Sequence, residues 1–408
     1  MKKVIVALSV LLCILIAVMC TLVITILSGA NIGKTPPASA TQSDPTQNTQ
    51  SVQTQSGPNA EELMEAMEDT GNFNRFQNGG NTVAFELPLV GAMGFVPVKT
   101  NVYLNADLSG GSLGSIPAGG AFCILADGGN TWKVKGQSGI EGYIDNRICF
   151  INLPDIIPSI VYDIVNSEAS IFMSSGKILP DVTGEKLMDY YHYNARYGTE
   201  QFVAPVLLPM AVKIYQAQQA ALSDGNTLVI YETFRPYDVQ MLVADRLKTM
   251  SNSDPVVQKG LTKGSWSLGW FIATGLSTHQ KGCAIDVSLA QIDSFEIKNC
   301  GKYQYISVTD YREYEMQCRM HELSTQAVSL ARPVSNARDS WIGVANNKLM
   351  TEGAITLKHY CTQVGMTPLA SEWWHFNDWE AVDELGSNYK MKYDFGLCIS
   401  KPADFVEG

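Results

Sequence analysis

The pattern of apolar and polar positions sets the N-terminal part of the chain apart from the rest. An uncharged, largely apolar run extends from Val4 to Ser28, directly after Lys2 and Lys3. A bilayer core about 30 Å thick needs roughly 20 apolar residues in a helix, and this run is longer. Residues 1–33 are therefore predicted to be a retained transmembrane anchor rather than a cleaved secretory signal, whose apolar core is shorter. The two lysines predict a cytoplasmic N-terminus, with the rest of the chain outside the cell.

Polar residues dominate the next segment, from Thr35 to Pro58, which is rich in Thr, Gln, Ser, Pro and Asn. Its only charged residue is Asp44, and it contains no aromatic residue. Such a composition buries too little apolar surface to offset the entropy lost on ordering. We expect residues 34–81 to form a disordered tether.

Short runs of β-forming residues, separated by glycine-containing turns, mark residues 82–153. Strands this short, at this spacing, predict a small all-β barrel. The order of the runs resembles a bacterial Src-homology-3-type domain. Such domains either bind wall peptides or pack against a catalytic neighbour, and the sequence leaves both roles open. The predicted strands include Val96–Val98, Val102–Leu104, Ala121–Leu125, Thr131–Val134 and Gly142–Ile144.

Helical and strand patterns are intermixed in residues 154–408. Apolar residues between Gln201 and Leu222 recur at helical spacing, but Pro205 and Pro209 suit only a first turn, so the regular helix is expected to begin as late as Pro209. The absence of a regular βαβ repeat favours an α+β fold over a doubly wound sheet. The other predicted elements are a strand at Thr227–Tyr231, a helix from Pro236 to Leu247, a strand at Cys283–Leu289, a helix at Ala354–Gln363 and a strand at Glu372–Phe376.

Charge and rare residues narrow the functional classes. The net charge of -11 argues against nucleic acid as a partner, because phosphate binding needs a basic face. Any membrane contact must then be hydrophobic and made through the N-terminal helix. The chain has nine cysteines, and Cys123 and Cys149 are the only two in the predicted barrel. They are a candidate disulfide in an oxidising compartment.

The first candidate site motif places His279 and Asp286 seven residues apart. Gly282 between them permits a tight turn into the following strand. Strand alternation then puts Ala284 and Asp286 on one face and directs Cys283 into the core. For a single His–Asp pair, the alternative is a purely structural hydrogen bond.

The second motif contains Glu372 and His375 on either side of two tryptophans. On a regular strand these residues would face opposite ways, so a bend is needed to direct both into one site. Two imidazoles, one ligating carboxylate and one unligated glutamate make up a catalytic zinc site. The alternative is a tryptophan-rich core strand with a hydrogen-bonded histidine.

The third motif is Arg235 followed by Pro236, directly after a predicted buried strand. A guanidinium in such a loop can stabilise the oxyanion formed when water attacks a carbonyl. The alternative is a surface salt bridge. Of the remaining histidines, His321 lies between the two metal motifs, and a surface or capping role is favoured over a place in the cleft. His192 is assigned to an aromatic surface or the cleft rim, and His359 to a structural role.

The three motifs and their order along the chain resemble the D-alanyl-D-alanine dipeptidase and carboxypeptidase family of zinc peptidases. The order is Arg-Pro, then Ser-x-His-x-x-Gly-x-Ala-x-Asp, then Glu-x-Trp-His. The resemblance spans roughly Ile157 to Phe395 and implies a hedgehog-like α+β peptidase domain with Zn²⁺ as cofactor. It assigns the zinc ligands to His279, Asp286 and His375, the general base to Glu372, transition-state stabilisation to Arg235 and a substrate contact to Ser277.

The resemblance implies hydrolysis of D-alanyl-D-alanine-type bonds by water that Glu372 activates. Residues 160–164 and the Arg-Pro pair are most similar to the dipeptidase branch, whose members are usually soluble and intracellular. The anchor and tether instead favour peptide stems of the wall over free D-Ala-D-Ala. Two alternatives are a peptidoglycan endopeptidase and a catalytically silent wall-binding protein. The expected location is the cell membrane, with a single span and an extracellular catalytic domain.

Overall fold

The computed structural model describes residues 74–78, 81–162, 171–182, 191–194 and 196–386. The predicted transmembrane anchor and the predicted tether up to residue 73 lie outside these residues. Among the residues described, no helix has the length and apolar character needed to cross a bilayer. All of them belong to one compact unit of the chain.

A β-hairpin stands at the start of the described residues. Strands β1 (Asn74–Asn78) and β2 (Asn81–Phe85) pair antiparallel, with Asn78 opposite Asn81. Backbone pairing therefore begins inside the range that composition assigns to the tether. The hydrogen bonds between the strands satisfy backbone groups that a tether leaves to water.

Seven short antiparallel strands follow, in agreement with the small all-β module predicted for this region. Alternating buried and half-buried positions, as in β7, show that one face of the sheet covers a core. The seven strands are β3 (Met93–Phe95), β4 (Thr100–Tyr103), β5 (Ser112–Ile116), β6 (Ala121–Asp127), β7 (Thr131–Gly136), β8 (Glu141–Asp145) and β9 (Phe150–Asn152).

The predicted disulfide of this module is absent. Cys149 is a free thiol, and its Sγ donates to the carbonyl oxygen of Asp145 at 3.1 Å. Burial, reinforced by the nearby charge of Asp145, raises the pKa of the Cys149 thiol well above its usual range. The pairing of Cys149 with Cys123 is therefore wrong, and burial keeps the Cys149 sulfur protonated.

Two small hairpins follow the first seven strands of this sheet. They are β10 (Met173–Ser174) with β11 (Lys177–Ile178), and β12 (Tyr191–Asn194) with β13 (Thr199–Phe202). Strand β14 (Pro205–Leu207) then pairs with β9 and becomes the eighth strand of the first sheet. The order of that sheet is β14-β9-β3-β6-β7-β8-β4-β5. Its edge strand β14 therefore comes from beyond the predicted module boundary at residue 153.

A second sheet of five strands carries the candidate site. Its path is β15-β16-β19-β18, and β17 also pairs with β16. The strands are β15 (Asn226–Glu232), β16 (Ala284–Cys300), β17 (Tyr303–Glu313), β18 (Thr367–Pro368) and β19 (His375–Asn377). The helices are α1 (Leu208–Ser223), α2 (Tyr237–Ser253), α3 (Pro255–Leu261), α4 (Glu352–Gln363) and α5 (Trp379–Leu385). This mixture of helices and antiparallel strands agrees with the predicted α+β class.

Several helices and strands begin or end at residues other than those predicted. The helical pattern that starts at Gln201 becomes a regular helix only at Leu208, one residue before the late start at Pro209 that the two prolines predicted, and residues 199–202 and 205–207 form strands. Pro205 is tolerated as the first residue of an edge strand, where its missing N–H removes no essential bond. Pro236 caps α2 rather than opening it, and α2 continues to Ser253.

The first sheet packs directly against the predicted metal motif, since one continuous hydrophobic core joins the two sheets. Gly282 has a φ of 65°, and a Cβ there would lie 2.6 Å from Cε1 of Phe150 in β9. The carbonyl oxygen of Gly282 accepts from the backbone N–H of Leu207 at 2.9 Å. Gly282 is thus needed for its positive φ and for this close contact. Of the two roles left open for the all-β module, packing against the neighbouring α+β part of the chain is observed.

Candidate metal centre

A row of three side chains crosses the second sheet. Asp286 in β16 lies opposite Glu232 of β15 on one side and opposite His375 of β19 on the other. Residues paired across antiparallel strands point to the same face. Cys283 and Ile285 belong to the hydrophobic core, as the alternation predicts, while Asp286 faces the site. The strand register therefore explains why a motif near residue 286 meets one near residue 375.

His279 reaches this row from the turn before β16. The backbone N–H groups of Gly282 and Cys283 donate to the carbonyl oxygens of His279 and Thr278 at 3.1 and 3.0 Å, which closes the turn. The His279 ring is buried, and its Nδ1 lies 2.6 Å from the carbonyl oxygen of Thr233. A carbonyl oxygen only accepts, so Nδ1 carries the proton and Nε2 presents a lone pair to Asp286.

His375 presents Nδ1 to the site, whereas His279 presents Nε2. Its Nε2 lies 3.0 Å from Oδ1 of Asn377, and the Thr278 hydroxyl donates to the same oxygen. Asn377 Nδ2 donates to Oδ1 of Asn336 at 3.3 Å, which orients the Asn377 amide. The proton of His375 therefore sits on Nε2, and Nδ1 presents a lone pair. Nδ1 lies 2.9 Å from Oδ1 of Asp286.

Three acceptor atoms thus converge in the protein interior. Nε2 of His279 lies 3.1 Å from Nδ1 of His375 and 3.4 Å from Oδ1 of Asp286. The ligand atoms of all three residues lie within 4.8 Å of one another. Converging lone pairs without a proton repel each other unless a cation lies between them. Two imidazoles and one carboxylate, with a position left for water, match the donor set of catalytic zinc sites.

The protonation of these groups follows from burial and from their mutual charges. Burial, the largest influence, lowers the pKa of His279 and keeps that ring neutral. Burial acts to raise the pKa of Asp286, but the neighbouring His279, His321 and His375 together lower it well below its usual range. Burial acts to lower the pKa of His375, but the carboxylate of Asp286 stabilises the doubly protonated ring, so the pKa of His375 is raised. A proton therefore competes with a metal ion for His375 as the solution becomes acidic.

Glu372 lies in a turn before β19, which begins only at His375. The predicted strand at 372–376 is thus too long, and the bend required by the spacing is present. The backbone N–H of Glu372 donates to the carbonyl oxygen of Leu369 at 3.4 Å. Oε2 of Glu372 lies 3.9 Å from Nδ1 of His375. Burial raises the pKa of Glu372 to about 7, partly offset by His375. Such a carboxyl group can exchange a proton near neutral pH.

Arg235 is buried at 6% exposure and is not part of a surface salt bridge. Its Nε and Nη2 donate to Glu232, Nη2 also donates to Asp286 at 3.0 Å, and Nη1 donates to Gln240 at 2.8 Å. Burial acts to lower the pKa of Arg235, but Glu232 and Asp286 raise it further. Four of the five N–H groups of a guanidinium are therefore engaged, which leaves one on Nη1.

Ser277 stands at the edge of the site. Its backbone N–H and hydroxyl both donate to Oε1 of Gln280, at 2.7 and 2.9 Å. Nε2 of Gln280 in turn donates to the carbonyl oxygen of Arg235. Gln280 therefore ties the first motif to the Arg-Pro motif. The substrate-contact role of Ser277 stays a prediction, as do the roles assigned to the other five site residues.

A cleft of about 300 Å³ opens over the site. One part of its lining is polar and contains the predicted ligands and base, and another part is apolar and aromatic. Lys281 adds a cationic residue to the lining. The polar members include Arg235, Ser277, His279, Lys281, Asn336, Glu372 and His375, and the apolar members include Trp270, Phe271, Ile272, Leu276, Leu369 and Trp379.

Three residues of the site were missed or misjudged from the sequence. Glu232 closes a buried strand and could have been noticed as a charged residue at a strand end. Asn377 had no distinguishing signal. For His321 a surface or capping role was favoured over a place in the cleft, but the side chain is buried, with Nε2 3.0 Å from Oδ2 of Asp286. Its position between the metal motifs was the only sign of a role in the site.

Residues 206–394 match the family model described as D-Ala-D-Ala dipeptidase. No curated protein matches the chain. The resemblance inferred from the three motifs is confirmed for these residues, which form a peptidase domain of that family. The match contains every predicted site residue and begins at Val206, well after Ile157. The Src-homology-3-type resemblance of residues 82–153 stays a prediction.

Proposed function

We propose that this protein is a zinc metallopeptidase that hydrolyses D-alanyl-D-alanine-type bonds in peptides of the cell wall. The convergence of His279 Nε2, Asp286 Oδ1 and His375 Nδ1 beside the buried carboxyl group of Glu372 is the observation that carries the proposal. A peptidase domain of the matched family supplies the reaction class.

His279, Asp286 and His375 would hold the ion. Zinc suits this donor set because it accepts nitrogen and carboxylate ligands in tetrahedral geometry, with one position left open. Zinc bound there supplies Lewis-acid polarisation of the scissile carbonyl and makes water a better nucleophile near neutral pH. The protein fixes which atom of each histidine is available, through Thr233 and Asn377.

Glu372 acts as the general base and then as the general acid. It takes a proton from the attacking water and returns it to the leaving amine. Its pKa of about 7 in the metal-free protein shows that burial has made the carboxylate more basic than an exposed glutamate. A cation at His375, whose Nδ1 is 3.9 Å away, favours the ionised form that the first step needs.

Arg235 stabilises the negative charge that develops on the carbonyl oxygen. Both Arg235 and Gln240 line the cleft, and Nη1 of Arg235 retains one N–H beyond its bond to Gln240. The guanidinium is held on its other edge by Glu232 and Asp286, so it needs no reorganisation during the reaction. Preorganised donors of this kind account for much of the rate enhancement in acyl transfer.

The substrate is assigned to stem peptides of the wall that end in D-alanyl-D-alanine, and the product to the released D-amino acid. The size of the cleft suits a short peptide end, and Lys281 offers a positive charge for a carboxylate. The N-terminal segment 1–33 would anchor the enzyme in the cell membrane, with the catalytic domain outside. Free D-Ala-D-Ala and internal cross-links are the competing substrates.

Metal analysis combined with an amine-release assay tests the proposal. The purified protein is loaded with zinc and offered D-Ala-D-Ala, a stem pentapeptide and intact wall. We expect one bound zinc and fastest release from the pentapeptide. His375→Ala should lose both metal and activity, while His359→Ala, at an exposed helix position, should keep both. Release from wall alone would establish an endopeptidase, and no release with zinc bound would overturn the proposal in favour of a wall-binding protein.

A further inference from the structure

His321 lies in a strained and deeply buried position next to the metal centre. It is 1% exposed, and its φ of 59° is in the left-handed region. This conformation is sterically strained for a residue with a Cβ, and such strain persists only where the surrounding structure enforces it. Strained non-glycine residues concentrate at functional sites.

The hairpin of β10 and β11 enforces this conformation. The backbone N–H of Met173 donates to the carbonyl oxygen of His321 at 3.0 Å, and Leu323 donates back to Met173 at 2.7 Å. The carboxylate of Glu322 accepts from the backbone N–H groups of Ser175 and Gly176. His321 itself and the two residues that follow it are therefore tied to a segment that lies outside the family match.

Phe172 supports both His321 and Arg235. The rings of Phe172 and His321 are stacked, with centroids 4.3 Å apart and an interplanar angle of 5°. The guanidinium carbon of Arg235 lies 5.1 Å from the centroid of the same phenylalanine ring. Trp374 meets His321 edge to face at 6.0 Å. These contacts leave the imidazole little freedom to rotate.

The imidazole of His321 points to Oδ2 of Asp286, the carboxylate oxygen that does not face His279 and His375. Nε2 of His321 lies 3.0 Å from Oδ2, and Nη2 of Arg235 also lies 3.0 Å from Oδ2. Nδ1 of His321 has no hydrogen-bond partner among the described residues. An unpaired buried N–H is more costly than an unpaired lone pair, so the proton belongs on Nε2, which donates to Oδ2.

The two oxygens of Asp286 therefore have separate tasks. Oδ2 accepts from His321 and Arg235, whereas Oδ1 faces the lone pairs of His279 and His375. Rotation of the carboxylate away from this position would break both donor contacts, and only a half turn, which exchanges two equivalent oxygens, would restore them. A ligand carboxylate whose second oxygen is hydrogen-bonded keeps one orientation toward the metal.

A second metal ion is not needed to explain this arrangement. Glu232, Asp286 and His321 do offer three ligand atoms within 4.8 Å of one another. However, the guanidinium of Arg235 donates to both carboxylates and already supplies the positive charge between them. A second cation would be repelled by Arg235 at this position.

We propose that His321 is a positioning residue that holds Asp286 in its metal-binding orientation, supported by Phe172. The proposal rests on the function proposed above, because it assumes that His279, Asp286 and His375 bind the metal. His321 does not touch the substrate and contributes through Asp286. The hairpin before the family match, which holds His321, thereby contributes to the geometry of the metal site.

The test compares His321→Phe with His359→Phe, the same substitution at an exposed helical histidine. His321→Phe keeps an aromatic ring against Phe172 but removes the donor to Asp286. Metal affinity is measured by competition with a chelator, and the coordination geometry by the visible absorption of the Co²⁺-substituted protein. We expect affinity about 10- to 100-fold weaker in His321→Phe, an altered Co²⁺ spectrum, and no change in His359→Phe.

A third variant, His321→Gln, restores a side-chain N–H within reach of Oδ2 and should recover part of the affinity. If His321→Phe does not fold, Phe172→Leu replaces it, since it removes the stacking support and leaves the donor. Folded variants with wild-type affinity and an unchanged Co²⁺ spectrum would overturn the positioning role. Failure of the wild-type protein to bind metal would instead overturn the proposed function itself.

Discussion

Nε2 of His375 lies 3.0 Å from Oδ1 of Asn377, two residues further along the same strand. Residues two apart on a strand face the same side, so the amide and the imidazole meet without any bend. The bond fixes the proton on Nε2 and leaves Nδ1 for the metal. His279 is fixed in the opposite sense by the Thr233 carbonyl, which leaves Nε2 available. The two histidines therefore offer different nitrogens to one site.

Replacing Asn377 tests this relationship. In Asn377→Leu the His375 ring loses its acceptor, and either nitrogen can carry the proton. We expect zinc affinity to fall by about 10- to 100-fold, the range found when partners of metal ligands are removed. Asn377→Asp keeps an acceptor oxygen and should stay closer to the wild type. Unchanged affinity in a folded Asn377→Leu protein, measured by chelator competition, would contradict the assignment of Nδ1.

Glu372→Gln separates metal binding from chemistry. The amide has the same shape as the carboxyl group but cannot accept the proton of water. We expect full zinc content and a kcat lower by at least about 10²–10⁴-fold, the contribution of a positioned general base. Zinc content and amine release from the pentapeptide are measured on the same sample. Turnover at the wild-type rate would rule out Glu372 as the base.

The activity of the zinc-loaded enzyme should fall as the pH is lowered. Glu372 must be ionised to accept a proton, and burial raises its pKa to about 7 in the metal-free protein. The charge of a bound cation lowers that pKa, so the midpoint of the acid limb is expected below pH 7. The measurement is kcat/KM from pH 4.5 to 8 at saturating zinc. An activity that rises as the solution becomes acidic would show that the protonated form of Glu372 is the working one.

Glu232 is expected to hold Arg235 rather than to bind metal. Glu232→Gln removes the charge that pairs with the guanidinium through Nε and Nη2. Held by one neutral acceptor oxygen instead of a carboxylate, Arg235 can move away from the cleft, and we expect kcat to fall by about 10-fold or more. Zinc affinity should change much less. Glu380→Gln, which alters an exposed carboxylate paired with Lys213, is the matched control and should leave kcat unchanged.

Glu86 links the chain after β2 to helix α1 and should make stability pH-dependent. Its carboxylate accepts from Ser159 at 2.6 and 3.0 Å and from Gln219 at 2.9 Å. Burial nevertheless raises its pKa to about 7, against a usual value of 4.5. The folded state then binds this proton more tightly than the unfolded state. Stability from Glu86 is present below pH 4.5 and is lost as the pH rises to 7.

This loss should amount to up to about 3 kcal/mol, since one unit of pKa corresponds to about 1.4 kcal/mol. Urea unfolding of the metal-free protein at several pH values between 4.5 and 8 measures it. Glu372 contributes a slope of the same sign, so the comparison is made in the Glu372→Gln background. There, Glu86→Gln should make the remaining dependence measurably shallower over this window. An identical slope with and without Glu86 would locate the effect elsewhere.

The local sequence alone determined which side chains of a strand face the core and where a bend is needed. The alternation after Gly282 places Cys283 in the core and Asp286 on the working face because successive side chains of a strand alternate. The buried strand before Arg235 follows from its continuous apolar run. Spacing alone also required a bend between Glu372 and His375, and that bend is present.

Only the tertiary structure decided the parts that depend on distant segments. Pairing of β14 with β9 turned part of a stretch with a helical apolar pattern into a strand, because a partner 53 or more residues away satisfies its backbone. The pairing of Met173 with the segment around His321 buried a histidine that local sequence favours at the surface. Glu232, Asp286 and His375 share one row because three strands adopt a common register. Motif spacing specifies which residues are available, whereas long-range hydrogen bonding and packing specify which atoms face the metal.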